Sequence, residues 1–454
     1  MTNNNDDTIV AIATAYGQGA VGIVRLSGEG SLKILDKMFL GNFSGESHKM
    51  YYGKIHKNGV IVDEVMVCAM HTPRSYTREN VVEIYAHGGM LVLRDVLETA
   101  IYNGARLAEP GEFTKRAFLN GRLNLSQAEA VMDIISAGSE AAKRAGLKQL
   151  GGGLSRRIIA LRDKILMWLA HIELSIDYPE HEEEAKNATE ILFESDEVLL
   201  ELKRLDNSSK VGRILKEGVK TVIAGRPNVG KSTLLNAILR EDRAIVHEQA
   251  GTTRDVLTEH VVINDVPLLL MDTAGIRETT DPIEKIGVEK SLSAAEEAEL
   301  ILYVIDKSTG FLSDDKEFIN KFAKKNTVVL LNKCDIIKNS KDFTESLQAK
   351  HILEISAHTG EGLNELYTCI RDIFLSTHNS NDNETIVTNE RHRNLISKAT
   401  THIQTAVNEL KQSTPEDLIS IELRAAYTAL GELIGTEIGD DIVERIFSEF
   451  CVGK

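Results

Sequence analysis

The chain has little of what marks a secreted, membrane-spanning or disordered protein. Its 454 residues include four cysteines, one tryptophan and seven prolines. Cys68, Cys334, Cys369 and Cys451 show no pairing spacing, which excludes a disulfide scaffold and fits a reducing compartment; the expected location is cytoplasmic. No apolar run approaches the ~18 residues needed to cross a bilayer, the strongest being Val266–Met271, so no membrane span is expected. The polar, acidic start, Met1 to Asp7, lacks the basic-then-apolar layout of a signal peptide. No internal repeat or low-complexity tract is present. Positive charge is in deficit: 52 Lys+Arg against 68 Asp+Glu give a formal net charge of −16. Such a field repels phosphate and argues against indiscriminate nucleic-acid binding, while leaving room for a local basic patch. What is present, 42% hydrophobic and 26% charged residues with 33 glycines, is ordinary globular composition. The length suggests about three domains.

The texture changes along the chain. Residues 8–120 read as short strands mixed with helices: Thr8–Thr14, Gly22–Leu26, Val60–Met70 and Val81–Tyr85 are rich in β-branched residues. Near Leu125 helical spacing takes over. Ser126 and Glu129 have capping-box spacing, and apolar periodicity runs, with breaks at Gly151–Gly153 and Pro179, to about Leu205. From Val219, strand-like runs at Lys220–Ala224, Leu268–Met271, Glu299–Ile305, Val328–Leu331 and His351–Ile355 alternate with helical stretches, which predicts a parallel α/β sheet. Thr258–Ile263 and Val266–Met271, joined by Asn264-Asp265, predict an added antiparallel hairpin. After a polar break at Ser376–Glu384, helical spacing returns through Arg391–Lys411, Pro415–Leu433 and Asp440–Phe450. The economical reading is an α/β domain inserted into a helical one.

Gly225-Arg-Pro-Asn-Val-Gly230-Lys231-Ser232 fits G-x-x-x-x-G-K-[ST], after a strand and before a helix. Glycines there let backbone N–H groups turn inward around a phosphate at a helix N-terminus. Lys231 can reach the β- and γ-phosphates and Ser232 can ligate Mg²⁺. The bland alternative is a glycine turn beside a surface lysine, which the strand–motif–helix order disfavours. Asn332-Lys333-Cys334-Asp335 follows the strand Val328–Leu331. A carboxylate there can accept two hydrogen bonds from guanine N1–H and its exocyclic amine, which adenine does not offer. Asp272-Thr-Ala-Gly275 and Ser356-Ala357 follow neighbouring strands, and Gly251-Thr-Thr253-Arg-Asp255 supplies the remaining element. The series is similar to that of the translation-factor-like GTPases. Asp272 would hold Mg²⁺ through water, Gly275 would sense the γ-phosphate and Thr253 would ligate Mg²⁺ in the triphosphate state. In Ras-like enzymes a glutamine after D-x-x-G orients the attacking water; here that position is Ile276, which can neither donate nor accept. Nearby polar candidates are Arg277, Glu278, Asp281 and Glu284, each of which also reads as a solvated loop charge.

The stretch Ala244-Ile-Val-His-Glu-Gln-Ala-Gly-Thr-Thr-Arg-Asp255 and the terminal Cys451-Val-Gly-Lys454 resemble the MnmE (TrmE) family of tRNA-modification GTPases. So do Gly19-Ala-Val-Gly-Ile-Val-Arg25, Val82-Glu83-Ile, His87-Gly-Gly89 and Pro110-Gly-Glu-Phe-Thr-Lys-Arg-Ala-Phe-Leu-Asn120, so the likeness spans essentially the whole chain. It implies an α/β and α+β multidomain fold: an α+β folate-binding and dimerising domain (1–120), a helical domain in two parts (121–217 and 377–454) and an inserted P-loop GTPase domain with a mostly parallel sheet (218–376). It implies a homodimer that works with the FAD-dependent partner MnmG, in a heterotetramer-type complex, to build aminomethyl or carboxymethylaminomethyl groups at carbon 5 of the tRNA wobble uridine.

By motif, the resemblance assigns the water-positioning role to Glu284. The GTP site would comprise Asn228, Val229, Gly230, Lys231, Ser232 and Thr233; His247, Glu248, Gln249, Ala250, Gly251, Thr252 and Thr253; Asp272, Thr273, Ala274 and Gly275; Asn332, Lys333 and Asp335; and Ser356 and Ala357. K⁺ would be held by Asn228 and by carbonyl oxygens of His247, Gln249 and Thr252, supplying the positive charge that an arginine finger otherwise brings. A tetrahydrofolate, 5-formyl or methylene, would lie against Arg25, Glu83, Arg122 and Lys454. Arg122 replaces a lysine found in some members, and Tyr16-Gly-Gln-Gly19 lacks the usual proline and arginine. Cys451 lies four from the end, but Val-Gly-Lys is not a prenylation signal; it reads either as a buried structural thiol or, by the family motif, as a functional thiol near the folate. Lys143, Arg144, Lys148, Arg156, Arg157, Arg162 and Lys164 form a basic segment that could contact tRNA phosphates, or simply a solvated helix face. Two other functions share parts of this pattern: a ribosome-assembly or translation GTPase, and a folate-dependent one-carbon transferase with a regulatory G domain.

Overall fold

The computed structural model describes residues 7–15, 17–177, 188–240, 259–271, 292–336, 349–375, 385–412 and 414–453. The chain divides into two compact units, one of Met1–Met132, Leu150–Ala170 and Leu423–Lys454, the other of Asp133–Gln149 and His171–Glu422.

The first unit is built on a seven-stranded sheet of β1 (Ile9–Ile12), β2 (Val21–Ser27), β3 (Phe39–Gly41), β4 (Met50–Lys57), β5 (Val60–Met70), β6 (Val81–His87) and β7 (Arg106–Leu107), ordered β3-β4-β5-β6-β2-β1-β7. β1, between β2 and the short edge strand β7, is buried on both faces. Val10 and Ile12 join a core with Val24, Leu26, Ile84 and Val96, while Ile9 and Ala11 pack with Phe113 and Ala108. Strands with both faces covered read as unbroken apolar runs, which is why Thr8–Thr14 was recognisable. Leu125, Ala128, Val443, Phe447 and Phe450 form a further core linking the helices Leu125–Ile135 and Asp440–Ser448. The expected capping box at Ser126 and Glu129 is displaced by two residues. Asn124 Oδ1 accepts from the Gln127 N–H at 3.0 Å, and Gln127 Oε1 accepts from the Asn124 N–H at 3.0 Å. Ser126 is buried inside the helix, with its hydroxyl on Asn124 and Ser155.

A buried ion network secures this unit. Arg116, 6% exposed, donates to Asp7 Oδ1 at 2.6 Å, Glu112 Oε1 at 3.0 Å and Glu79 Oε2 at 3.3 Å. Burial raises the carboxyl groups of Asp7 and Glu112, but Arg106 and Arg116 outweigh it and hold both below their ordinary values. Stability from depressed carboxyls is present above their unfolded pKa, near 4, and is lost as pH falls through the folded values. Arg116→Met removes the buried cation shared by Asp7, Glu79 and Glu112, leaving Arg106 beside Asp7 and Glu112, and is expected to cost about 1–3 kcal/mol at pH 7. The gap from the native chain should narrow on acidification, as urea unfolding at pH 7 and pH 4 would test; an undiminished gap would refute the assignment.

The second unit contains a six-stranded sheet of β8 (Val219–Ala224), β9 (Glu259–Ile263), β10 (Val266–Leu270), β11 (Leu300–Asp306), β12 (Asn326–Asn332) and β13 (His351–Glu354), ordered β13-β12-β11-β8-β10-β9. All pairings are parallel except β9 with β10. In that hairpin Asn264 and Asp265 both have positive φ, 44° and 72°, as a tight two-residue turn requires. β11 is buried along its whole length, between a core on one face (Leu300, Leu302, Val304) and one on the other (Ile301, Tyr303, Ile305).

The helix expected to end near Leu205 continues to Glu217, because Val211, Ile214 and Leu215 keep an apolar face and Ile214 joins the core beneath the sheet. It passes through Gly218 (φ +79°) straight into β8. The returning chain lies beside it. A Cβ on Gly212 would strike the Val387 carbonyl, the Val387 N–H donates to Ser208 Oγ at 3.2 Å, and Thr388 Oγ1 donates to Asp133 Oδ2 at 2.6 Å. Lys216 pairs with the same Asp133 at 2.8 Å. The helix Glu390–Lys411 then packs along Ala188–Glu217. Helical segments from either side of the α/β sheet therefore meet.

Candidate functional site

The phosphate loop lies between β8 and the helix Lys231–Arg240. Gly225, Asn228 and Gly230 all have positive φ, at 143°, 62° and 101°. A Cβ at Gly225 would strike the Val304 carbonyl, and one at Gly230 the Asn332 amide, so the loop has room only for glycine at both points. Lys231 Nζ donates to the carbonyls of Gly225 at 2.8 Å and Arg226 at 2.7 Å, and burial lowers its pKa. Ser232 and Thr233, in the first helical turn, are exposed, as is Asn228, whereas Val229 is buried beneath the loop.

The N-K-x-D segment reaches this loop from β12. Asn332 is nearly enclosed; its Nδ2 donates to the Val229 carbonyl at 2.8 Å and its Oδ1 accepts from the Ala357 N–H at 3.0 Å. Asn332 thus joins the phosphate loop to Ser356-Ala357. Lys333, in a left-handed conformation with φ 66°, donates to the Asn228 carbonyl at 3.1 Å. Asp335 is exposed at the rim. Three of the sequence-predicted elements therefore converge at the carboxyl ends of parallel strands, where open α/β sheets place ligands. β10, beside β8, ends at Leu270 shortly before Asp272. Asp272, Thr273, Ala274 and Gly275 lie outside the described residues, as do His247 through Thr253 and the water-positioning candidate Glu284 with its neighbours Ile276, Arg277, Glu278 and Asp281.

Two contacts at this site were not foreseen. Asp306, at the end of β11, accepts from Lys333 Nζ at 2.6 Å. Burial pushes its carboxyl upward, but Lys333 and the Ser308 donors more than offset this and hold it low. Arg226 donates to Asp315 Oδ1 at 3.2 Å, and Asp315, fully buried, also accepts from Tyr303 Oη at 2.8 Å. The position of Asp306 at a strand end beside Asn332 is a signal that topology, once known, makes readable.

In the first unit a second cluster forms around Arg25 and Glu83, which face each other across β2 and β6. Arg25 donates to Glu83 Oε1 at 2.8 Å, and Glu83 Oε2 accepts from Tyr85 Oη at 2.6 Å. Burial, then the Glu83 bond, raises the Tyr85 pKa, so it stays a donor. Tyr76 is the residue the sequence did not reveal: its ring lies under both guanidinium groups, 5.6 Å from Arg25 and 4.7 Å from Arg122. Arg122 also donates to the Tyr76 carbonyl at 3.1 Å. The C-terminal segment reaches the same place. Arg25 Nη1 donates to the Gly453 carbonyl at 3.4 Å, the Gly111 N–H to the Cys451 carbonyl at 3.3 Å, and Val452 bridges to Pro110. Cys451 is exposed, contrary to the buried-thiol reading, and Lys454 lies outside the described residues. Burial raises the thiol pKa of Cys68, Cys334 and Cys369, consistent with structural roles.

Of the basic segment, Arg162 is withdrawn from the surface, and Lys143 and Arg144 are exposed but paired. Arg162 is 8% exposed, bonded to Thr436 at 2.8 Å and Glu437 at 3.2 Å and stacked on Tyr427. Lys143 pairs with Glu140 at 2.7 Å and Arg144 with Asp265 at 3.0 Å. Arg144 and Arg162 find partners far along the chain, which composition does not show. Among the described residues no group of three or more His, Cys, Asp or Glu could hold a metal ion, and no helix is long and apolar enough to cross a membrane.

A parallel sheet with a phosphate loop after its first strand and an N-K-x-D motif meeting that loop defines a P-loop GTPase, a GTP hydrolase. Residues 8–122 match the family described as GTP-binding protein TrmE N-terminus, and residues 125–451 the family described as MnmE helical domain. The chain is 45% identical over 452 residues to tRNA modification GTPase MnmE of Finegoldia magna, covering 99% of this chain and 100% of that one. It is 43% identical over 456 residues to the protein of the same name from Acetivibrio thermocellus (99% of each chain) and 44% over 457 residues to that from Clostridioides difficile (99% of each). The chain belongs to the MnmE family.

Proposed function

We propose that this protein is a K⁺-activated GTPase that, with the FAD-dependent partner MnmG, drives addition of aminomethyl or carboxymethylaminomethyl groups at carbon 5 of the tRNA wobble uridine. The observation that carries the reading is the full-length likeness to relatives named for tRNA modification, joined to the convergence of Lys231, Asn332 and Lys333 on one loop. Full-length likeness, including the N-terminal and helical regions, favours it over a ribosome-assembly or translation GTPase, which would share only the G domain.

Lys231 and the loop N–H groups would bind the phosphates, and Asp335 would read guanine. The exposed Ser232 hydroxyl fits one Mg²⁺ position, with Thr253 the second; Mg²⁺ there would neutralise charge on the phosphates. Asn228 presents an exposed amide beside the loop, a suitable neutral oxygen donor for a monovalent cation, with carbonyls of His247, Gln249 and Thr252 completing the set. Glu284 would orient the hydrolytic water that Ile276 has no means to hold. Equal GTP turnover in KCl and NaCl at matched ionic strength would sink the cation assignment; KCl is expected to be faster by about tenfold or more, since charge supplied at the transition state has large effects.

The Arg25–Glu83–Tyr76–Arg122 cluster fits a tetrahydrofolate. A carboxylate can accept from adjacent ring N–H groups, an aromatic ring stacks on a pteridine, and guanidinium groups suit an anionic tail. Bound there, the folate would supply a one-carbon unit. Glu83 and Arg25 would orient it; by the family motif Lys454 would contribute a further contact and Cys451 a functional thiol beside the folate. Assembly as a homodimer through the N-terminal domain, and contact with MnmG and tRNA, complete the proposal.

A further inference from the structure

The phosphate loop and the N-K-x-D segment are each held in a costly shape. Asn228 and Lys333 are non-glycine residues with φ 62° and 66°, a region that costs about 1 kcal/mol or more per residue unless its surroundings enforce it. What enforces both is the turn from Asp306 to Gly310, which belongs to neither motif. Asp306, 7% exposed, receives Lys333 Nζ at 2.6 Å on one carboxylate oxygen. Its other oxygen receives the Ser308 N–H at 2.8 Å and Oγ at 2.6 Å, so the carboxylate has no freedom to follow a moving lysine. The lysine is thereby a fixed strut, carrying its second bond to the Asn228 carbonyl at 3.1 Å. The far end of the turn grips the start of the phosphate loop: Arg226 Nη2 donates to the Gly310 carbonyl at 2.8 Å and to Thr309 Oγ1 at 3.2 Å. The Lys307 N–H donates to the Asn332 carbonyl at 3.0 Å, tying the turn to the base-reading segment as well.

We propose that the Asp306–Gly310 turn is a clamp that positions both nucleotide-binding loops, with Asp306 the positioning residue that fixes Lys333 and so sets how long a guanine nucleotide stays bound. Without the carboxylate, ordering the lysine side chain is added to the cost of binding the nucleotide, and the loss falls on the dissociation rate. The inference rests on the GTP-site reading given above.

The test uses the full-length protein and GDP carrying a fluorescent ribose label, with dissociation followed by stopped flow. Asp306→Asn preserves shape but removes the charge, and is expected to speed dissociation about tenfold or more, in line with losing one partner of a close charge pair. The KM for GTP should rise far more than kcat falls. In a Lys333→Met background the same substitution should add less than about twofold, because its effect runs through that lysine. A rate within twofold of native, or an equal effect in both backgrounds, overturns the clamp. If Asp306→Asn does not fold, Ser308→Ala, which removes one donor from the carboxylate, replaces it. It should then give about a two- to threefold rise that vanishes in the Lys333→Met background; no rise, or one that persists there, overturns the proposal. Failure of the native protein to bind GDP would instead overturn the GTP-site reading.

Discussion

Replacing Asp335 by asparagine is expected to exchange guanine for xanthine specificity. Asp335 stands exposed at the rim of the site, two residues beyond a lysine anchored at 2.6 Å and 3.1 Å, so its backbone is well placed to hold a carboxylate against a base edge. A carboxylate only accepts, and guanine offers two donors, N1–H and the 2-amino group. Asparagine turns one acceptor into a donor, which then confronts the 2-amino group and leaves a donor pair facing each other. Xanthine carries a carbonyl at that carbon, and the amide donor finds an acceptor. Sites built around hydrogen bonds reject mismatched partners by about 10⁴-fold or more; with one of two bonds retained, GTP affinity should fall by roughly 10²- to 10³-fold, and xanthosine triphosphate should gain about as much. Direct titration of the variant with both nucleotides reads this. GTP affinity within about fivefold of native would mean that Asp335 does not read the base.

The second large effect is on turnover. Glu284→Ala should lower kcat by roughly 10²- to 10⁴-fold, the usual worth of a positioned proton acceptor, while GTP affinity moves only a few-fold. By the family motif, Glu284 takes the water-positioning role. Ile276 occupies the position where a glutamine otherwise orients water, and it has no polar atom. Glu284 lies outside the described residues, so single-turnover hydrolysis with separately measured GTP binding is the decisive pair of readings. A variant that binds and hydrolyses normally would remove Glu284 from the mechanism.

Much of this architecture was legible in the sequence because its signals are local. β11 and β12 are continuous apolar runs, as strands covered on both faces must be, and the P-loop glycines stand where added side chains would collide with Val304 and Asn332. The hairpin was readable from Asn264-Asp265, a pair that accepts positive φ. Signals that depend on distant partners misled. The helix starting at Leu125 is capped by Asn124 and Gln127, and Ser126 had the same spacing chemistry but is turned into the core. Arg162 counted as surface charge until Tyr427 and Glu437, far along the chain, were seen to enclose it. Tyr76 and Asp306 carried no motif at all; each is recruited by neighbours that only the folded sheet supplies.

The central claim, that GTP hydrolysis by this protein serves wobble-uridine modification, is tested most directly by mass spectrometry of tRNA nucleosides. Cells lacking the protein should contain wobble uridine without the aminomethyl or carboxymethylaminomethyl group at carbon 5, restored by the native chain and not by Glu284→Ala. Full modification in cells lacking the protein would contradict the account.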